Sequence, residues 1–325
     1  MIPVAGRRIL VTGGAGFIGS AVVRGLLARG ARVRVLDDQS RGHARRLADL
    51  PEVEFREADI RDAPAVQTAV AGMDSVCHLA YVNGTEFFYQ RPDVILEVAV
   101  KGMINVLDAC LAHGVGELLL ASSSEVYQRA SVVPTPESVP LVVPDLTNPR
   151  FSYGGGKIIS ELLAYHYGHS RLSRVLIVRP HNVYGPDMGH EHVIPQFAER
   201  LIRADKATPS GILPFPIQGT GEETRAFIHI DDFTDGFVRV LEQGRHQQIY
   251  NIGTDDEVPI AEVAQLVAQA LRRSIAIQPG PLQAGSTARR SPDITMLRAL
   301  GFTPHTPLSE GIRSTVTWYL NAQQA

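Results

Sequence analysis

Short apolar runs alternate with longer amphipathic segments along the first half of the chain. The short runs are rich in aliphatic and β-branched residues, which predicts strands, while the longer segments carry apolar residues at helical spacing. The predicted strands are Arg8–Thr12, Arg32–Leu36, Val53–Glu57, Ser75–Ala80, Glu117–Ser122 and Arg174–Arg179. This alternation indicates βαβ units, and therefore an α/β fold with a doubly wound parallel sheet.

The pattern changes after Pro180, where glycines and prolines become frequent and the βαβ alternation stops. Such a region suits loops and short elements above a cleft. A helix over Ala226–Gln243 and a strand over Gln248–Gly253 are predicted to return to the sheet. Residues 1–180, with 226–253 returning, are therefore predicted to form one domain, and 181–225 with 254–325 a smaller mixed α/β substrate-binding domain.

Composition excludes several classes of partner. The chain has 325 residues, 44% of them hydrophobic, and a net charge of -3 with both signs mixed along it. This predicts a globular protein without a long basic field for nucleic acid or for an anionic membrane. No apolar run approaches the roughly 18 residues of a membrane span, and no signal-peptide pattern opens the chain. Cys77 and Cys110 lack a metal-binding or disulfide pattern, so a cytoplasmic protein with two buried thiols is expected.

The first predicted strand runs into VTGGAGFIGS, which opens a helix and has the glycine spacing of a dinucleotide site. Gly13 permits the tight turn, Gly16 admits a pyrophosphate to the backbone, and Gly19 lets helix and strand pack closely. The acidic end of the second strand, Asp37, can bind both ribose hydroxyls of NAD and would repel the 2′-phosphate of NADP. Arg41 leaves the alternative open, because an arginine a few residues later is how a 2′-phosphate is accommodated. A glycine-rich turn without ligand is the simpler alternative, and together these features predict a Rossmann-type domain that binds NAD.

Tyr153 and Lys157 share one face of a predicted helix over 153–170, with Cβ atoms roughly 6 Å apart. A phenol is a poor base at neutral pH, and a nearby ammonium together with the positive nicotinamide ring favours its phenolate form. Gly154–Gly156 lies between them, although each glycine costs a helix about 0.8–1 kcal/mol relative to alanine. The glycines indicate close approach of a ligand or another backbone, or else a helix that begins after Gly156.

Hydroxyl and carboxylate groups follow the predicted central strand, at the edge of the sheet where ligands bind in doubly wound folds. Ser123 can hydrogen-bond a sugar hydroxyl, and Glu125 beside a cationic ring can abstract a carbon-bound proton. Ordinary capping of the strand end by serines is the alternative. The residues predicted to be catalytic are Tyr153, Lys157, Ser123, Ser124 and Glu125.

Several motifs together identify a known family. TGGAGFIG, HLA, SSSEVY, the Tyr-x-x-x-Lys pair, RPHNVYGP, GTGEETRAFIHIDD and YNIG follow one another as in extended short-chain dehydrogenases/reductases. Over almost its whole length the chain resembles their NAD-dependent nucleotide-sugar epimerase/dehydratase group. The resemblance implies a homodimer joined through helices at Arg91–His113 and Tyr153–Ser170. The family chemistry needs no metal, so the histidine pairs at 166–169 and 190–192 are expected to be ordinary surface residues.

The resemblance also implies a division of labour at the site. Tyr153 takes the proton of the sugar 4-hydroxyl while hydride passes to NAD, Lys157 binds the nicotinamide ribose and lowers the pKa of Tyr153, and Ser123 binds the 4-oxygen. Asp59 is expected at the adenine edge from its position after the third strand rather than from the resemblance, with a capping role as the alternative. The residues predicted to bind the cofactor are Gly13, Gly16, Phe17, Ile18, Gly19, Asp37, Asp59, Ile60, Leu79, Ala80, Tyr153 and Lys157.

By the same resemblance, Asn182 and Arg225 contact the nucleotide diphosphate, Arg290 lies near the nucleotide, and Val193 begins a segment beneath the substrate. Tyr81 stands where a small residue is usual in the family and would line the sugar pocket, which leaves the sugar open. The residues predicted to bind substrate are Tyr81, Ser123, Glu125, Asn182, Val193, Arg225 and Arg290.

These residues predict an epimerase that acts on a nucleotide sugar through a transient 4-keto sugar. Glu125 is typical of 4,6-dehydratases and uronate decarboxylases, which share that intermediate, so both remain alternatives. Ser124 stands where many dehydratases carry the aspartate that expels the 6-hydroxyl, so dehydration is the less well supported alternative. A net NAD(P)-dependent oxidoreductase of a carbonyl or hydroxyl substrate is an alternative of another class, and a non-catalytic NAD sensor is disfavoured by Tyr153 and Lys157.

Overall fold

The computed structural model describes residues 1–208, 210–281 and 287–322 of the chain. A seven-stranded sheet runs through it in the order β11-β6-β5-β4-β1-β2-β3, and each pair of neighbours is parallel. These strands are β1 (Arg8–Thr12), β2 (Arg32–Asp37), β3 (Glu54–Glu57), β4 (Ser75–His78), β5 (Glu117–Ala121), β6 (Arg174–Pro180) and β11 (Gln248–Ile252). The predicted α/β class with a doubly wound parallel sheet is confirmed.

Helices cover both faces of this sheet, as expected for parallel strands joined by crossovers. One face packs against Val22 of α1 and Phe237 of α8, and the other against Val106 of α5 and Ala164 of α6. The helices are α1 (Phe17–Ala28), α2 (Ala63–Val70), α3 (Thr85–Gln90), α4 (Pro92–Glu97), α5 (Met103–Ala112), α6 (Phe151–Arg171), α7 (Val193–Ala207), α8 (Ile230–Gln243), α9 (Ile260–Ala270), α10 (Thr295–Arg298) and α11 (Leu308–Ala322). Every residue of strand β5 is buried, which explains the three leucines between Glu117 and Ala121.

A third hydrophobic cluster forms from the later part of the chain, where α7, α9 and α11 pack together. Short strands accompany them: β8 pairs with β13, β10 pairs with β7, and β9 lies between β12 and β14. Their bounds are β7 (Val183–Tyr184), β8 (Leu213–Gln218), β9 (Thr224–Ala226), β10 (Ile228–His229), β12 (Glu257–Pro259), β13 (Ile275–Gly280) and β14 (Arg289–Arg290). Because β11 pairs with β6, the segment near residue 250 does return to the main sheet. The division into two domains stays a prediction.

Two predicted helices differ in the structure. The helix expected from Ala226 begins only at Ile230, since β9 and β10 occupy the preceding residues and His229 accepts a hydrogen bond from the Asp231 N–H at 3.4 Å as the N-cap. The helix expected over 91–113 is α4 and α5 joined by a π-helical turn at Val98–Gly102, which local sequence periodicity does not reveal.

Candidate active site

A cavity of about 440 Å³ opens at the carboxyl ends of β1, β2, β4 and β5. Ligands of doubly wound folds bind at this edge of the sheet. All twelve residues predicted to bind the cofactor line this cavity. Of the residues predicted to be catalytic or to bind substrate, those that also line it are Tyr81, Ser123, Ser124, Glu125, Asn182 and Arg290.

The glycines after β1 are required by close contacts. A side chain at Gly13, whose φ is +72°, would place Cβ 2.6 Å from the Ala80 nitrogen. A side chain at Gly19 would lie 2.0 Å from the Gly13 carbonyl oxygen, so helix α1 packs directly on the turn. Within the described residues no side chain caps α1, which leaves the N–H groups of its first turn facing the cavity. A turn of this shape fits a pyrophosphate.

Asp37 is fixed at the end of β2 by the backbone. Its carboxylate accepts hydrogen bonds from the Ala15 N–H at 2.9 Å and from the Gln39 N–H at 2.8 Å. Burial raises the pKa of Asp37 above its ordinary value, and these two N–H groups partly offset that effect. Asp59 also lines the cavity, but its carboxylate is paired with Arg61 at 2.6 Å.

Tyr153 is buried on the first turn of α6, with its ring against Tyr81 and Phe88 at centroid distances of 5.1 and 5.2 Å. Ser123 hydrogen-bonds the Tyr153 hydroxyl. Burial raises the pKa of Tyr153 to about 12, although the bond with Ser123 acts in the opposite direction. The chain by itself therefore keeps this phenol protonated at neutral pH.

Lys157 lies one turn further along α6 and is also buried. Its ammonium donates to the Ala121 carbonyl at 2.8 Å and lies 3.8 Å from the centre of the Tyr81 ring. Burial lowers the pKa of Lys157 to about 7, with Glu161 acting against it. The shift in the pKa of Tyr153 is thus set by burial rather than by Lys157, and the expected lowering needs the added charge of the nicotinamide ring.

The three glycines lie inside α6, which begins at Phe151, so a helix starting after Gly156 is excluded. A Cβ at Gly154 would lie 2.6 Å from the Gln128 amide nitrogen, and one at Gly156 would lie 2.3 Å from the Tyr81 hydroxyl. These two glycines therefore allow neighbouring segments of the protein to approach α6 closely. Gly155 differs, because a Cβ there would meet only Val143, at 3.5 Å.

Glu125 lies in a short 3-10 turn after β5, where its N–H donates to the Ser123 hydroxyl at 3.1 Å. Its carboxylate forms an ion pair with Arg290 of β14. Burial raises the pKa of Glu125, but Arg290, with Arg150 and Arg225, outweighs burial and holds that pKa below its ordinary value. Glu125 is therefore a stabilised carboxylate at neutral pH.

Two predicted substrate residues do not line the cavity in the described part of the chain. Val193 is the first residue of α7 and is 37% exposed. The Arg225 guanidinium donates to the Thr224 and Thr287 carbonyls, both at 2.7 Å. The roles given to these residues stay predictions.

Other cavity residues were not predicted from the sequence. Arg150 precedes α6, Ser122 directly follows β5, and Glu191 comes from the loop before α7. The Ser122 hydroxyl is buried and has no hydrogen-bond partner among the described residues, as expected of a group that meets a ligand. Its place directly before Ser123 was a signal for it, whereas nothing local marks Glu191.

The residues present fit NAD: a glycine turn below a helix start, a fixed carboxylate at the end of β2, and an unpaired Ser122 hydroxyl beside Tyr153 and Lys157. These features define an enzyme of the Rossmann type that uses a dinucleotide. The chain belongs to the NAD-dependent epimerase/dehydratase family, whose model matches residues 9–253. The resemblance seen in the sequence motifs is thereby confirmed, as is NAD as the cofactor.

Relatives with three different outcomes resemble this chain over nearly its full length. It is 32% identical to UDP-glucose 4-epimerase of Mycolicibacterium smegmatis, covering 98% of this chain and 100% of the relative. It is 29% identical to UDP-N-acetyl-alpha-D-glucosaminuronate decarboxylase of Bacillus cytotoxicus, covering 96% and 98%. A dTDP-glucose 4,6-dehydratase double mutant from Streptomyces venezuelae, solved with NAD bound, superposes with a TM-score of 0.85 at 32% identity, covering 98% of each chain.

Within the described residues, no group of three or more His, Cys, Asp and Glu side chains is arranged to hold a metal ion. Across the same ranges, none of the helices combines the length and apolar character needed to cross a bilayer.

Proposed function

We propose that this chain interconverts the C4 epimers of a nucleotide sugar through a transient 4-keto sugar. Tyr153 accepts the proton of the 4-hydroxyl, Ser123 hydrogen-bonds the same oxygen, and Lys157 orients the cofactor ribose. NAD held by these residues would supply the hydride acceptor and donor at C4, so that no net oxidation results. Tyr153 then gives back the proton, and the inverted product needs only a rotation of the keto sugar between the two transfers.

The observation that carries this proposal is the state of the groups beside Tyr153. Tyr153 is placed for proton transfer from the 4-hydroxyl, but the neighbouring Glu125 is an ion-paired carboxylate with a lowered pKa and has no proton to give to a leaving group. Expelling a 6-hydroxyl as water requires a proton donor, and Ser124 is a buried hydroxyl with a much higher ordinary pKa. Epimerisation requires neither, which favours it over dehydration.

Decarboxylation of a nucleotide-linked uronic acid is the second candidate. Arg290 and Arg150 line the cavity close to Glu125, so positive charge is available for a substrate carboxylate at C6. Oxidation at C4 makes such a substrate a β-keto acid, which loses carbon dioxide and leaves an enolate at C5 to be protonated. The cationic groups therefore favour this alternative over dehydration.

A substrate panel distinguishes these outcomes. The purified protein is incubated with UDP-, GDP-, dTDP- and CDP-linked hexoses and hexuronates, and the products are separated by chromatography and weighed by mass spectrometry. We expect a product of unchanged mass and new retention time, without net change in absorbance at the reduced nicotinamide band. Loss of carbon dioxide from a hexuronate alone establishes decarboxylation instead, and loss of water alone rejects both. Stoichiometric NADH formation would indicate a net oxidoreductase.

We further propose a homodimer in a reducing, cytoplasmic setting. The dimer is supported by an exposed apolar surface on α4 and α6, which we call the helix-pair surface and which consists of Leu96, Ile159, Leu162 and Tyr165. Exposed apolar groups concentrated on adjacent helices are typical of subunit contacts. Cys77 and Cys110 are free and buried, which supports the compartment.

A further inference from the structure

The mouth of the cavity is crossed by an ion pair between distant parts of the chain. Arg41, on the loop after β2, donates from both terminal nitrogens to Glu191, at 3.0 and 3.2 Å. Both residues line the cavity, although they lie 150 positions apart. The Arg41 guanidinium also lies 5.2 Å from the centre of the Phe87 ring, a cation–π contact.

The Glu191 carboxylate lies in a closely packed position. It packs against the buried Gly84, where a Cβ would lie 2.0 Å from one of its carboxylate oxygens. The same loop also binds Arg46, a second arginine that lines the cavity. The Asp187 carboxylate accepts a hydrogen bond from Arg46 at 2.7 Å, and the Asp187 carbonyl accepts another at 2.8 Å. Residues 187–191 therefore bind both of the arginines that follow β2 and line the cavity.

The position of Arg41 gives this pairing a chemical consequence. Asp37 binds a ribose with free hydroxyls and repels a 2′-phosphate, which favours NAD. Arg41 lies four residues beyond Asp37, where a free guanidinium would bind the same phosphate with two parallel hydrogen bonds and weaken that preference. In this chain both donor nitrogens of the fork are already given to Glu191.

We propose that Glu191 is a cofactor-specificity residue: by holding Arg41 in a two-pronged ion pair, it withholds that guanidinium from the 2′-phosphate of NADP. Specificity for NAD then has two sources, repulsion by Asp37 and sequestration of Arg41 by a loop outside the cofactor-binding strands. The proposal concerns nucleotide selection and does not depend on which sugar is converted.

The test measures the ratio of bound nucleotides rather than activity. Each full-length variant is equilibrated with equal NADP and NAD, passed through gel filtration, and denatured so that the released nucleotides are quantified by chromatography. The variants are built on Asp37→Ser, which removes the repulsion and makes bound NADP measurable. Adding Glu191→Gln should raise the NADP-to-NAD ratio by roughly three- to tenfold, since it frees both donor nitrogens of a partly exposed guanidinium for the phosphate.

Two further variants make the result specific. Adding Arg41→Gln to the double variant should return the ratio to that of Asp37→Ser alone, because the freed guanidinium is then missing. Glu52→Gln, an exposed site that changes net charge equally, should leave the ratio unaltered. The proposal is overturned if Glu191→Gln changes the amounts of both bound nucleotides without raising the NADP-to-NAD ratio. It is also overturned if that ratio rises equally in the variant that lacks Arg41.

Discussion

The Tyr153 hydroxyl is the group on which the proposed chemistry depends, so its removal is the first test. Tyr153→Phe keeps the ring contacts with Tyr81 and Phe88 but deletes the oxygen that we propose as the proton acceptor. We expect turnover to fall by about 10²–10⁴-fold while NAD remains bound. Initial rates and chromatographic quantification of bound nucleotide measure the two effects separately.

The control for Tyr153→Phe removes a phenol elsewhere in the same region. Tyr89 on α3 is 51% exposed, so Tyr89→Phe should leave turnover within a factor of two or so of the unmodified protein. Near-normal activity of Tyr153→Phe with bound NAD would remove Tyr153 from the mechanism.

Gly155 and Gly156 provide a matched pair of alanine substitutions inside α6. Gly155→Ala has room for the added methyl, so better helix propensity should stabilise the protein by about 0.5–1 kcal/mol. Gly156→Ala brings Cβ to 2.3 Å from the Tyr81 hydroxyl and 2.9 Å from the Ala99 Cβ, and overpacking of this kind costs about 1–3 kcal/mol. Chemical denaturation measures both free energies of unfolding. Equal stability of the two variants would contradict the close packing of Tyr81 on the helix.

At the level of elements, the contact between β14 and the turn after β5 sets the charge of Glu125. Removing Arg290 should let burial raise the pKa of Glu125, because Arg290 is the largest influence that lowers it. In Arg290→Gln the carboxylate therefore takes up its proton at a higher pH. The measurement is a carbon NMR titration of the glutamate carboxyls, with the Glu125 signal assigned from Glu125→Gln.

The neighbouring residue supplies the control for this titration. Arg289 pairs with Glu257 at 2.7 Å, so Arg289→Gln keeps the fold of β14 without touching Glu125. Its Glu125 signal should titrate as in the unmodified protein. An unchanged titration in Arg290→Gln would show that the ion pair does not lower the pKa of Glu125.

How well elements could be predicted depends on how local their causes are. Strand β5 was found because an apolar run bounded by polar residues marks a buried strand wherever it occurs. The start of α8 was misplaced, since β9 and β10 exist only through pairing with β12, β14 and β7, which the local sequence does not encode. The π-helical turn at Val98–Gly102 was not predicted, because it adds one residue to a turn without changing the apolar character of the helix.

For the whole molecule, the sequence predicted the residues of the cavity better than their partners. Motifs after each strand pointed to one edge of the sheet, because parallel strands bring their carboxyl ends together. The pairings of Arg290 with Glu125 and of Arg41 with Glu191 span 165 and 150 positions, and they depend on how the later elements fold back over that edge. Spacing along a single chain contains no such information.

The proposed dimer depends on the apolar side chains of the helix-pair surface. The helix-pair surface exposes Leu162 by 53%, and a glutamate there would bury a charge wherever two copies meet through these helices. Leu162→Glu should therefore convert a dimer into a folded monomer, measured by sedimentation velocity together with circular dichroism. Ile212, 67% exposed before β8 and remote in sequence from both helices, serves as the control, and Ile212→Glu should stay dimeric. A dimer that survives Leu162→Glu would mean that the copies associate through another surface, while a monomer before any substitution would reject the assembly itself.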